Sequence, residues 1–109
     1  MTERKTMRIT TSVAAILAAF LQDPAEGHYG LGLMRATGQP SGTLYPILVR
    51  LQDAGWVDAH WEDIDPVAAG RPARRYYRLT PDGVVAARRE LQALQRKIGM
   101  LGKLAEGSA

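Results

Sequence analysis

Arg71, Arg74, Arg75 and Arg78 stand within one eight-residue stretch that contains no acid. A guanidinium is a planar, permanently charged fork that suits phosphate oxygens and guanine edges. Gly70 and Pro72 give this stretch the character of a shaped loop. The anionic partner such a block implies is a nucleic-acid backbone; a solvated basic loop is the alternative. A second group, Ser41, Gly42, Thr43 and Tyr45, gathers two hydroxyls and a phenol at the start of a helix-like stretch, with Arg50 further along. Hydroxyls at a helix start bond phosphates, helped by the positive end of the helix dipole. Gly42 lets backbone approach backbone, and Tyr45 offers a ring and a hydroxyl to bases or phosphates. Arg50 either binds phosphate or pairs with Asp53.

Other chemistries lack their residues. The chain has no cysteine, which removes disulfides, thiolate nucleophiles and Cys-ligated metals. His28 and His60 lie far apart with no second ligand pattern, so no metal site is expected. Gly30 and Gly32 lack the lysine of a phosphate loop, and no nucleophile motif is present. Neither an enzyme nor a bound cofactor is expected. The net charge is only +3, but five acids run from Asp53 to Asp65 without a Lys or Arg. Those acids must face away from phosphates or pair with arginines; Arg75 and Arg78 are the candidates to pair with Asp58 or Glu62. The longest apolar run, Val13 to Leu21, is too short to span a bilayer. No small-residue cleavage site follows it at Gln22-Asp23-Pro24, so a cytoplasmic protein without membrane attachment is expected.

The elements that must position these residues follow from periodicity and punctuation. A first helix starts after Thr10 or Thr11 and buries Val13, Ile16, Leu17, Phe20 and Leu21, ending at Asp23-Pro24. A second, short helix spans about Tyr29 to Thr37, with Leu33, Met34 and less clearly Leu31 inward, and stops at Gly38. A third lies between Pro40 and Ala54, with Leu44, Ile47, Leu48 and Leu51 in an i, i+3, i+4, i+7 stripe. Its cap is either Ser41 or Thr43; the second choice keeps Pro46 within the first turn, where a missing N–H costs nothing. Trp56 to Glu62 and Arg75 to Thr80 read as two strands around a loop, with Tyr77 and Leu79 on one face of the second strand and Tyr76 and Arg78 on the other. Trp56 and Trp61 read as packing residues.

Thr80-Pro81 then opens a last helix to about Leu104, roughly 36 Å long. Val84, Ala87, Leu91, Leu94, Ile98 and Leu101 make a heptad-like seam along it, and a helix that outreaches so small a domain implies a second copy of the chain. The fold class is therefore α+β, mostly helical: three helices and a two-stranded wing, then a long C-terminal helix. The expected divisions are a flexible basic tail over residues 1–8, a winged helix-turn-helix domain over 9–80, a dimerisation helix over 81–105 and a disordered tail over 106–109.

Two strings in this frame are specific. Tyr29-Gly30, then Pro40-Ser41-Gly42-Thr43-Leu44-Tyr45-Pro46-Ile47-Leu48-Val49-Arg50-Leu51, then Gly55-Trp56, form one; Gly70-Arg71-Pro72-Ala73-Arg74-Arg75-Tyr76-Tyr77-Arg78-Leu79-Thr80-Pro81-Asp82-Gly83 forms the other. Together they resemble the PadR family of transcriptional regulators over about residues 10 to 98, in its short form. The resemblance implies a winged helix-turn-helix, a C-terminal dimerisation helix and binding of a homodimer to a palindromic double-stranded DNA operator, usually as a repressor. It also implies DNA-facing roles for Ser41, Gly42, Thr43 and Tyr45, and a wing carrying Arg71, Arg74 and Arg75. Some relatives bind flat aromatic drugs with a tryptophan on the last helix; this last helix has no aromatic residue, and the sequence identifies no small-molecule effector. The alternative is a winged-helix module that binds protein, which would gain ground if the acidic strand neutralised the wing arginines.

Overall fold

The computed structural model describes residues 7–107. Helix α1 covers Thr11–Leu21, strand β1 His28–Tyr29, helix α2 Gly30–Thr37 and helix α3 Ser41–Asp53. Strand β2 (Val57–Trp61), a short helix α4 (Pro66–Ala69), strand β3 (Arg75–Leu79) and helix α5 (Pro81–Gly107) complete the chain. Thr10 caps α1, its hydroxyl accepting from the Val13 N–H at 3.2 Å. Gly38 ends α2 in the left-handed conformation, at φ 71°. The α2–α3 turn is therefore short, and the two helices pack as a helix-turn-helix pair.

One core serves all these elements. Val13, Ile16, Leu17 and Phe20 of α1 meet Leu33 of α2, Leu44, Ile47, Leu48 and Leu51 of α3, and Val57, Tyr77 and Leu79 of the sheet. Each full burial of such a side chain contributes about 1.5–3 kcal/mol, so the α3 stripe alone fixes which face that helix turns outward. Alternation along β3 does the same for the sheet: Tyr77 and Leu79 point in, Arg78 points out. Wing and helix-turn-helix are thus locked to one scaffold, a winged helix-turn-helix with a long projecting helix; the molecule measures 64 × 39 × 24 Å.

Several expectations need correction. The sheet has three strands, not two, in the order β1-β3-β2 and antiparallel throughout. Strand β1 has two residues, too few to show a period, and it exists because Tyr29 and His28 pair with Tyr76 and Tyr77. Neither Ser41 nor Thr43 caps α3. Pro40 holds the cap position with no side-chain bond, its carbonyl accepting from the N–H groups of Thr43 and Leu44. Pro46 consequently lies past the first turn and leaves one helical bond unmade on the exposed side, a cost that the buried stripe offsets. Leu31 is 55% exposed and faces away from the core. The loop before β3 contains α4, capped by Asp65 and opened by Pro66, the same pairing that opens α5. The flexible tail expected over 1–8 falls outside the described residues up to 6, and Met7 packs against the core. Of the tail expected over 106–109, Glu106 and Gly107 are helical and the last two residues lie outside the described residues.

Helix α5 also enters the core. Ala87 is fully buried, and Val84 and Leu91 pack against the cluster alongside α1. Half of the expected dimer seam is therefore spent within the protomer. The start of α5 crosses Trp56 so closely that a Cβ built on Gly83 would lie 1.9 Å from the Trp56 carbonyl oxygen. That same oxygen accepts the Thr80 N–H at 3.0 Å, so it has no freedom to withdraw. Gly83→Ala should therefore destabilise the protein by about 2–3 kcal/mol, the cost of overpacking against backbone. Gly99→Ala, where nothing lies within 4 Å, should instead stabilise by up to about 1 kcal/mol. Denaturant unfolding of the two variants checks the pair, and equal effects would refute the close approach.

Candidate nucleic-acid interface

With Leu44, Ile47, Leu48 and Leu51 committed to the core, α3 exposes Ser41, Gly42, Tyr45, Pro46, Val49 and Arg50, while Thr43 is half-buried. The leading end of this helix is open at Gly42, where an added Cβ would meet no other part of the protein within 4 Å. Arg50 does not pair with Asp53: among the described residues the ion pairs are Arg71–Glu62 and Arg89–Glu90. Tyr45 is 42% exposed and leans back toward the first residue of α2, Gly30. Beside it opens a cleft of about 490 Å³ lined by Tyr29, Gly30, Leu31, Gly32, Arg35, Tyr45, Arg74, Arg75 and Tyr77. This cleft brings the helix-turn-helix and the wing base together. Sequence reasoning missed Arg35 and Gly30; the signal for Arg35 was its position outside the inward pair Leu33 and Met34.

The wing is built on one carboxylate. Glu62 accepts two bonds from the Arg71 guanidinium, at 2.6 and 3.0 Å, one from the Arg74 backbone N–H at 3.3 Å and one from the Tyr76 hydroxyl at 3.1 Å. Its own N–H bonds the Arg74 carbonyl at 2.7 Å, closing the loop at its neck. Tyr76 in turn bonds the Tyr29 hydroxyl, tying β1 to the same network. The Arg71 guanidinium, with further bonds from Tyr76 and the Arg74 backbone, holds the Glu62 carboxyl at about 2. Tyr76 is pushed well above the ordinary phenol range by its bond with Tyr29, by burial and by Glu62, whereas the bond shared with Tyr76 and the neighbouring Arg74 guanidinium bring Tyr29 down.

The expected pairing of acids with arginines is thus corrected. Glu62 takes Arg71, not Arg75 or Arg78, although Asp58 stands opposite Arg78 across the sheet. Arg71 is half-buried and already satisfied, so it shapes the wing instead of extending from it. Arg74 and Arg75 are exposed and carry no carboxylate partner among the described residues. Each is steadied by an aromatic ring: Arg74 lies 4.7 Å from the Tyr29 centroid and Arg75 lies 5.4 Å from that of Trp61. Such a contact draws the guanidinium to the ring through its charge and steadies it, but brings no opposite charge to neutralise it. The acidic strand therefore neutralises one wing arginine and leaves the others charged.

Glu62 offers a pH test with a definite sign. Its folded pKa lies below the unfolded value near 4.5, so its contribution is complete above that value and is lost as pH falls toward 2. The stability gap between the native protein and Glu62→Gln should close across that window, as followed by thermal unfolding at stepped pH. Carboxyl NMR should place the Glu62 midpoint near 2, rising toward the ordinary range in Arg71→Ala; a native midpoint above 4 would remove the carboxylate as the anchor of the wing.

Among the described residues no helix is long and apolar enough to cross a membrane, and no group of three metal-ligating side chains converges. No curated protein sequence matches the chain. Solved structures do. A PadR family transcriptional regulator from Eggerthella lenta is 25% identical, with 84% of this chain and 80% of that one covered and a TM-score of 0.68. A PadR-like transcriptional regulator from Bacillus cereus is 23% identical over 87% of each chain, with a TM-score of 0.58. The circadian clock associated protein Pex from Anabaena shares the fold at 21% identity, over 84% of this chain and 80% of its own, with a TM-score of 0.60. The sequence model of the transcriptional regulator PadR-like family matches residues 21–89, more than half of the chain, and with the winged helix-turn-helix described above the protein belongs to that family.

Proposed function

We propose that this regulator binds double-stranded DNA sequence-specifically as a homodimer and acts as a repressor at a palindromic operator. The observation that carries the reading is the grouping of Arg35, Arg74 and Arg75, none paired with a carboxylate among the described residues, beside the exposed start of α3. A protein that binds a polyanion needs cations whose charge is not already spent. Ser41, Gly42 and Thr43 at the leading end of α3, with Tyr45 behind them, enter the major groove. Arg50 meets the flanking backbone. Arg74 and Arg75 track phosphates from the wing, and Arg71 holds the wing in shape through Glu62.

The second copy is held by the distal half of α5. Ile98, Leu101 and Leu104 are 60%, 64% and 65% exposed in the protomer, an apolar row that water disfavours. Leu94 is half-buried where this row begins. Pairing there places two reading heads on successive major grooves about 34 Å apart, and occupancy of such a site occludes a promoter.

Two measurements test these assignments. In a fluorescence titration at two salt concentrations, the protein should bind DNA from upstream of its own gene in preference to unrelated DNA. Arg74→Ala and Arg75→Ala should each weaken binding to both DNAs. Each should also flatten the log–log salt slope by about 0.9 for every phosphate that the variant leaves unneutralised across the two half-sites. Weak binding without preference, or none at low salt, would move the protein toward the protein-binding alternative. In sedimentation at micromolar concentration the native chain should run as a dimer, and Ile98→Glu/Leu101→Glu should run as a folded monomer with unchanged helix content. A monomeric native chain would exclude the α5 seam.

A further inference from the structure

Gly30 is glycine for a reason that its backbone does not supply. The glycines at positive φ are Gly38, Gly55 and Gly70. Gly30 instead begins α2 in ordinary helical geometry, where alanine is the better residue. What excludes a side chain there is Tyr45: a Cβ on Gly30 would lie 2.1 Å from the Tyr45 hydroxyl oxygen and 2.8 Å from the carbon that bears it. The bare Cα thus makes a seat for one phenol. The Tyr45 hydroxyl has no hydrogen-bond partner among the described residues, although it sits in a crowded place. It is held instead at the wall of the cleft that Arg35, Arg74 and Arg75 also line.

Three like charges around one cleft repel each other unless an anion enters. The protein has a way to neutralise an arginine, and uses it next door on Arg71 through Glu62. In the cleft it brings no carboxylate, and the remaining lining residues are Tyr29, Gly30, Leu31, Gly32 and Tyr77. Guanidinium forks, a free hydroxyl donor and apolar walls match a phosphodiester and its adjoining sugar better than a base edge, which demands a fixed donor and acceptor pattern. We infer that this cleft seats a backbone phosphate of the bound DNA, with the Tyr45 hydroxyl donating to it and Gly30 as the positioning residue that keeps Tyr45 there. The assignment rests on the DNA-binding reading above and makes Tyr45 a backbone clamp, not a base reader.

The test uses the full chain with DNA from upstream of its gene and with an unrelated duplex. Tyr45→Phe removes only the hydroxyl. It should weaken both DNAs by the same factor, roughly ten- to a hundredfold in each half-site for the loss of one hydrogen bond to a charged group. Its salt slope should be unchanged, because a phenol releases no counterion, whereas Arg35→Ala should weaken both and flatten the slope. Gly30→Ala displaces only the far end of a flexible side chain, so it should fold with an unchanged or higher melting temperature. It should match the loss of Tyr45→Phe and add nothing to it in the double variant, since both act through one hydroxyl. A Tyr45→Phe loss confined to the upstream DNA would make Tyr45 a base reader and overturn the seat. So would specific native binding that Tyr45→Phe leaves intact. Full additivity of Gly30→Ala with Tyr45→Phe would overturn the positioning role. Absence of native binding to either duplex at low salt would overturn the DNA reading itself, and the seat with it.

Discussion

A single carboxylate sets the shape of the wing. Glu62 gathers four hydrogen bonds from Arg71, the Arg74 backbone and Tyr76. Without it, a loop bearing this many arginines would be spread by its own charge. Neutralising Arg71 removes one repelling cation from the neck of the loop and turns it into a brace. The brace then aims its neighbours: Arg74 is held over Tyr29 and Arg75 over Trp61, both with their charge intact. An acid beside an arginine-rich loop looks like a defect in sequence. In the fold it is the group that makes the basic loop a defined surface.

The same logic of one interaction serving two purposes recurs at the close approaches. Gly83 lets α5 cross the Trp56 carbonyl, which also receives the Thr80 N–H that joins strand to helix. Gly30 lets Tyr45 lie against the start of α2. The first approach is backbone on backbone, and nothing there can yield. The second is a side-chain tip, and it can. A Cβ at position 83 therefore threatens the fold, whereas one at position 30 redirects a single exposed group. Glycines of equal appearance in the sequence carry different costs because different atoms face them.

Features held by regular burial were legible from residue types alone. The α3 stripe, the inward Tyr77 and Leu79, the Thr10 cap and the opening of α5 at Pro81 all follow from periodicities and caps that one element displays by itself. What escaped depends on pairs distant in sequence or on segments too short to show a period. Strand β1 is defined only by Tyr76 and Tyr77 across the sheet. The choice of Arg71 over Arg75 and Arg78 by Glu62 depends on where the loop neck closes. Helix α4 did carry a signal, since Asp65-Pro66 repeats the cap-and-proline start of α5, but Gly70 and Pro72 outweighed it in a loop-like composition. For Arg35 the sequence shows only a place outside the inward pair Leu33 and Met34; its grouping with Arg74 and Arg75 depends on the wing base being brought against α2.

The long helix joins these local arrangements to the whole. Its seam is one line of residues in sequence but two surfaces in the fold. Val84, Ala87 and Leu91 are held by packing to α1 and the common core, while Ile98, Leu101 and Leu104 lie exposed beyond it. A continuous helix of 27 residues, about 40 Å long, connects the two with no proline after its first residue to bend it. The buried half therefore fixes the direction in which the exposed half leaves the domain, and α3 is fixed by the same core. In a dimer joined at the distal half, the spacing between two reading heads would then be set by helix geometry and not by a flexible linker. A rotation of a few degrees at the seam would be carried along that lever to the recognition helices with little attenuation. In that arrangement, anything that repacked the distal half of α5 would gain a mechanical route to α3 while touching none of its residues.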